Sequence, residues 1–375
     1  MSRTPINLSY AVTFRAAALS IAVCVTGCAS RPTSAVLQPV SLEKPEGKSI
    51  TLLAATNRSP DAKAKGYGRQ WEGDVHYERY GFSIPADRKG TAIRYPTNKP
   101  DPHRQYLITN REALSEDKFV ADAVQAANFD GTVAVFVHGY NYSYQEALYR
   151  AAQLAADAQT LSPPILFSWP SAASVTGYVA DRDAALSSRT ELYGLLRALA
   201  ASPRIERVVL FGHSMGGFLS MEAARQLKLQ GRNDVVAKLA IVLAAPDIDV
   251  DVFRSQVRDL GKLHTPITLL VSNSDRALTV SSVLGGERPR VGQLNINDPL
   301  IRETAKAENV RVVDISSLQS SDGLGHDRYA SLAQFGGELT KIERDGGANI
   351  GSFVFDAAGA AVASPFRLAG QIVRH

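Results

Sequence analysis

The chain of 375 residues is 45% hydrophobic and 21% charged, a globular composition rather than a disordered or fibrous one. That length can bury a full core without staples, which excludes small disulfide scaffolds. A net charge of +4, from 41 Lys+Arg against 37 Asp+Glu and with no long basic run, gives no electrostatic reason to expect a nucleic-acid partner. The two cysteines, Cys24 and Cys28, leave the body of the chain without thiols for disulfide, zinc or redox chemistry.

Residues 1–27 hold Arg3 and Arg15, no acidic residue, and an apolar run from Ala16 to Val25. This predicts an export signal. The apolar stretch is too short for the roughly 20 residues that span a bilayer as a helix. Val25-Thr26-Gly27-Cys28 resembles the lipobox of bacterial lipoproteins, whose cysteine is acylated and becomes the first mature residue. The resemblance implies a mature chain of 28–375; 41 basic residues less Arg3 and Arg15 leave 39 against 37 acidic ones, a nearly neutral protein. It also implies a membrane partner through an N-terminal lipid anchor. With Ala29 where an inner-membrane retention signal places Asp, the implied address is the outer membrane of a Gram-negative envelope, facing the periplasm. An ordinary cleaved signal with an accidental cysteine is the alternative.

Residues 28–49 are rich in Ser, Pro and charge without apolar periodicity, and predict a flexible tether. Next, Ile50 to Ala55 and Val75 to Ile84 suit strands, and the four prolines between Pro85 and Pro102 predict a surface loop. From residue 117 the pattern alternates. Short Val/Ile/Leu-rich runs at 132–137, 165–169, 207–211, 239–244, 268–271 and 311–315 suit strands of a parallel sheet buried on both faces. Ser143 and Glu146 form a capping box that opens a helix through about Asp157. Leu192, Leu195, Leu196 and Leu199 make one apolar helical stripe. The prediction is an α/β fold with a mostly parallel central sheet flanked by helices. One catalytic domain spans 50–345, its site lies at the carboxyl ends of the strands, and 346–375 is an extension of underived role.

The run 207–211 leads directly into Gly212-His213-Ser214-Met215-Gly216, and Phe218 to Leu227 then suits a helix. This is a Gly-x-Ser-x-Gly nucleophile elbow in its strand-turn-helix setting, where the turn leaves no room for side chains at the glycines and exposes the Ser214 hydroxyl. A plain turn serine is the alternative. The elbow resembles that of the α/β-hydrolase superfamily. More narrowly, Thr56-Asn57-Arg58, His138-Gly139-Tyr140-Asn141 and Ser168-Trp169-Pro170-Ser171, with the elbow, resemble an uncharacterised bacterial branch of it over roughly residues 50–335. The resemblance implies the fold and a Ser-His-Asp triad, but no substrate.

A serine hydroxyl needs a base, and the base needs an orienting acid. In the superfamily the chain order is Ser, then Asp or Glu, then His. His264 falls at the wrong end of the sheet and His326 falls after the last strand, so His326 is the expected base. Asp275 is the expected acid, with a helix N-cap as its other reading and Asp247 in reserve. Backbone N–H groups of Met215 and Tyr140 are the expected oxyanion hole. His138 and His213 are expected to be structural. Tyr142, Trp169 and Tyr178 could line a substrate pocket or simply pack. The segments 171–190 and 279–309 are candidate lids. No metal or other cofactor is expected, because the remaining histidines lack ligand spacing and the Gly-Gly pairs lack a phosphate-loop context. The expected activity is a serine hydrolase acting on a small acyl-ester or lipid substrate. An acyltransferase or thioesterase with the same triad, or a non-catalytic binding scaffold, remains open.

Overall fold

The computed structural model describes residues 31–42, 47–158 and 162–333. The expected signal at 1–27, the expected acylation site Cys28 and the extension at 346–375 lie outside the described residues. Among those described, nine strands form one sheet: β1 (Lys48–Asp61), β2 (Gly66–Ile84), β3 (Leu107–Leu114), β4 (Thr132–Val137), β5 (Ile165–Ser168), β6 (Arg207–His213), β7 (Leu239–Ala244), β8 (Ile267–Val271) and β9 (Val310–Asp314). Their spatial order is β3-β2-β1-β5-β4-β6-β7-β8-β9. Strands β4 to β9 are the six Val/Ile/Leu runs, all parallel. β1 extends them in parallel against β5, whereas β2 and β3 turn back as an antiparallel meander. β3 was not anticipated, because its Thr-Asn-Arg-Glu centre is polar; at the sheet's edge its outer side chains are free to face water.

The helices are α1 (Glu116–Ala123), α2 (Tyr144–Ala158), α3 (Tyr178–Ser187), α4 (Arg189–Ala201), α5 (Met215–Leu229), α6 (Asn233–Val236), α7 (Val250–Leu260), α8 (Arg276–Leu284), α9 (Pro299–Ala307) and α10 (Arg328–Ala333). The capping box forms as its spacing requires: Glu146 N–H donates to Ser143 Oγ at 3.3 Å and Ser143 N–H donates to Glu146 Oε2 at 2.8 Å. Alternate residues of the central strands feed two cores. Val133, Val135 and Val137 face the layer that includes the leucines of α4, and Phe136 faces the layer of α2 and α10. None of the described helices is long and apolar enough to cross a membrane.

The tether expectation fails for residues 31–42. Ser34–Leu37 is a 3-10 turn whose Val36 and Leu37 are buried in the α2-side core. Tyr149 Oη donates to the Val36 carbonyl at 2.7 Å, Gln145 Nε2 to the Pro32 carbonyl at 2.7 Å, and Val40 N–H to the Ile108 carbonyl at 2.7 Å. Two buried apolar residues and three hydrogen bonds hold the segment that its polar composition suggested would stay loose.

Candidate active site

Every expected catalytic, oxyanion-hole and pocket residue lies at the carboxyl ends of β4 to β9, the edge where a parallel sheet places its ligand crevice. Ser214 links β6 to α5 with φ 54° and ψ −122°, a left-handed conformation that costs a non-glycine residue about 1–3 kcal/mol. The flanking glycines make that turn possible. A Cβ on Gly216 would stand 2.3 Å from the Val137 and His138 carbonyl oxygens, and one on Gly212 would stand 2.7 Å from the Gly217 Cα. Met215 opens α5, so its N–H has no acceptor within the helix. The Ser214 backbone is fixed on both sides, its N–H donating to the Ala244 carbonyl at 2.9 Å and its carbonyl accepting from Asp247 N–H at 3.2 Å.

His326 and Asp275 come together from sites 51 residues apart, with Nδ1 donating to Asp275 Oδ2 at 2.7 Å. Asp275 is fully buried, and its other oxygen accepts the Leu278 N–H at 3.0 Å. One side chain thus both caps α8 and contacts the His326 imidazole. Burial alone would lower the His326 pKa, but the hydrogen bond and charge of Asp275, with the charges of Asp322 and Asp247, outweigh it and raise the pKa. With Nδ1–H given to the carboxylate, Nε2 carries the lone pair of the neutral ring. The His326 ring lies 4.7 Å from that of His213, the residue before Ser214. Among the described residues no hydrogen bond joins the Ser214 hydroxyl to His326, a contact that often tightens only when substrate binds.

Asp247, the reserve acid, does not meet His326. Its carboxylate accepts from Tyr178 Oη at 2.8 Å and Ser281 Oγ at 2.8 Å, and it lies 3.2 Å from Arg290 Nε. It thereby ties α3, α8 and the elbow together. Burial, and then the charge of Asp247, push the Tyr178 pKa up to about 12.

The other flank is built by the three early motifs. Arg58, buried to 1% exposure, donates from Nε to Ser168 Oγ at 3.1 Å, from Nη1 to the Gly68 and Ser171 carbonyls, and from Nη2 to the Tyr142 carbonyl at 2.9 Å. Burial brings its pKa down to about 10, against the opposing charge of Asp181. Arginine cannot accept, so the direction of the chain is fixed: Arg58 to Ser168 Oγ, and Ser168 O–H to His138 Nε2 at 3.1 Å. His138 Nδ1–H then donates to the Gly139 carbonyl at 2.8 Å. Burial, and then Arg58, hold the His138 pKa down to about 3, so the ring stays neutral. Because the Gly139–Tyr140 peptide is trans, fixing its carbonyl toward His138 aims the Tyr140 N–H the opposite way. Gly139 itself permits the approach, since a Cβ there would stand 2.9 Å from both His213 Nδ1 and Ser214 Cβ.

Trp169 is no pocket wall. It is fully buried, stacks on His138 at 4.9 Å and donates Nε1–H to the His138 carbonyl at 2.8 Å. Tyr178 packs edge-on against Tyr140 at 5.6 Å, and half-buried Tyr142 lies edge-on to His213 at 6.5 Å. His213 is buried and donates Nε2–H to the His326 carbonyl at 3.2 Å; burial, then His326, drives its pKa well down. Sequence reasoning missed Asp181, which accepts from Asn141 N–H at 3.0 Å and from Ser171 Oγ at 2.5 Å. It also missed Arg290, and it quoted Arg58 without a role. Among the described residues no group of three or more His, Cys, Asp or Glu side chains stands ready to hold a metal ion.

A family model described as an alpha/beta hydrolase of unknown function matches residues 113–342. No curated protein matches significantly. Among solved structures, a protein described as a hydrolase of the alpha/beta superfamily from Xanthomonas campestris pv. campestris is 19% identical, with 56% of this chain and 98% of that chain covered and a TM-score of 0.32. A thermophilic esterase from Thermogutta terrifontis is 12% identical, with 72% and 88% covered and a TM-score of 0.32. A bacterial brefeldin A esterase is 13% identical, with 87% and 82% covered and a TM-score of 0.35.

Proposed function

The chain belongs to the alpha/beta-hydrolase family whose model matches residues 113–342, and from that premise we propose that it is a serine hydrolase of carboxylic esters, held at the bacterial envelope by acylated Cys28. The observation that carries the reading is the 2.7 Å contact between His326 and fully buried Asp275, on the same strand edge as the strained Ser214 elbow.

In this reading Ser214 Oγ attacks the acyl carbonyl carbon while His326 Nε2 takes its proton. Asp275 stabilises the imidazolium that forms. The negative charge that develops on the carbonyl oxygen is met by the N–H groups of Met215 and Tyr140. Collapse expels the alcohol, which leaves with the proton from His326, and the acyl group stays on Ser214. Water then repeats the sequence, giving its proton to His326, which passes it to the leaving Ser214 Oγ as the acid is released. A thioester would follow the same steps.

A chain-length series of nitrophenyl esters tests the reading. Turnover should depend on acyl length and disappear in Ser214→Ala; equal turnover by that variant would show that the hydrolysis is not the work of this site. For the anchor, palmitate incorporation should vanish in Cys28→Ala, and persistent labelling would remove the lipid from the account.

A further inference from the structure

Of the ten large apolar side chains exposed among the described residues, six stand around this one edge: Val175, Val179, Val280, Val283, Leu284 and Leu324. Three of them, Val280, Val283 and Leu284, occupy i, i+3 and i+4 of α8, so this short helix turns an apolar stripe to solvent while Leu278 and Ser281 face inward. The three segments that carry the six are physically joined. Tyr178 on α3 and Ser281 on α8 share the Asp247 carboxylate. Arg276 N–H of α8 donates to the Leu324 carbonyl at 3.0 Å, and Tyr140 Oη donates to the Val175 carbonyl. The result is a set of exposed apolar side chains on linked segments at the edge that carries Ser214 and His326, more than scattered single surface residues would give.

The N-terminal segment bears on what meets this rim. The Pro32 carbonyl is bound by Gln145, in the first turn of α2 directly after the β4 loop, hence at the catalytic end of the sheet. The expected acylation site Cys28 stands only four residues before Pro32 in the sequence.

We propose that the apolar rim formed by α8, the turn before α3, the start of α3 and the His326 loop docks on a lipid bilayer, so that the active site opens toward the membrane surface and takes acyl substrates from it. This rests on the anchor and hydrolase readings above and adds an orientation that neither contains. Docking would bury the exposed stripe about 5–10 Å into the headgroup region, as amphipathic interfacial helices do.

The test places an environment-sensitive fluorophore at Val179→Cys or Val280→Cys of the full chain, with Leu229→Cys as the control. Val179, Val280 and Leu229 are 72%, 59% and 63% exposed, and Leu229 lies at the far end of α5 from Ser214. The chain is reconstituted in phosphatidylethanolamine–phosphatidylglycerol vesicles containing nitroxide-labelled lipid. Quenching at 179 and 280 is expected to be about threefold or more that at 229, as interfacial burial of one face requires. Equal quenching at the three positions, or none at any, would overturn the proposal. So would shielding of 179 and 280 from both nitroxide lipid and aqueous iodide, which would assign the rim to another segment of the chain or to a second copy. Acyl labelling of Cys28 and fluorophosphonate labelling of Ser214, read on the same samples, report separately on the anchor and on the hydrolase reading.

Discussion

The two flanks of Ser214 are both buried and polar, yet they are built on opposite electrostatic plans. On the Tyr140 side a cation, Arg58, hydrogen-bonds directly only to neutral oxygens, with Asp181 acting on it through space, and its hydrogen bonds run in one fixed direction through Ser168 to a histidine held neutral. On the His326 side carboxylates surround an imidazole whose pKa they raise. The first arrangement has no proton to exchange near neutral pH and serves to hold a backbone loop. The second keeps one group poised to gain and lose a proton. In the proposed mechanism, then, one flank supplies geometry and the other supplies chemistry.

Asp275→Asn should give the largest effect and separate chemistry from scaffold. Asparagine caps helices as well as aspartate does, so α8 should persist. Turnover should nevertheless fall by about four orders of magnitude, because the amide cannot stabilise the imidazolium and disfavours the working tautomer. Steady-state kinetics beside a thermal melt checks both halves; a melt that collapses along with the rate would mean that the cap, not the base, was lost.

Arg58→Met should do the reverse. It leaves three carbonyls without the guanidinium and takes one hydrogen bond from the Ser168 hydroxyl, which should cost about 3 kcal/mol or more of stability. Urea unfolding measures this, and a loss under about 1 kcal/mol would show that water or neighbours replace the guanidinium. Tyr178→Phe should be milder. It removes one hydrogen bond to buried Asp247, worth about 1.5–3 kcal/mol because the acceptor is charged, and leaves Ser281 and Arg290 in place.

The smallest expected effect is in pH dependence. If His326 is the base, kcat/KM should fall on the acid side with an inflection above the ordinary histidine value of 6.5. In the residual activity of Asp275→Asn that inflection should move down. The sign for stability is opposite: a raised folded pKa stabilises the fold fully below the unfolded value, and that contribution fades as pH rises through the folded value. An inflection in the wild type below 6.5 would contradict the assignment.

The parallel sheet was legible because its strands are buried on both faces and so read as unbroken Val, Ile and Leu runs, as at 132–137 and 239–244. Ser214 was legible because a sharp turn admits only glycine at 212 and 216. What stayed hidden was long-range and polar. The bonds of Asp181 to Asn141 and Ser171 leave no trace in periodicity, and Arg58 serves a loop 84 residues away. Residues 31–42 misled because composition counts polar residues, whereas docking depended on Val36, Leu37 and a few backbone acceptors. For Trp169 both pocket and packing stayed open, because its place after a strand at the catalytic edge does not say which side of the loop its ring takes.

The central claim is that Ser214 is an activated nucleophile, and covalent capture tests it most directly. A fluorophosphonate probe on the folded wild-type chain, followed by peptide mass spectrometry, should place the label on Ser214, with labelling slowed in His326→Ala and absent in Ser214→Ala. A folded wild type that takes no label, or a Ser214→Ala variant that labels equally, would contradict the account.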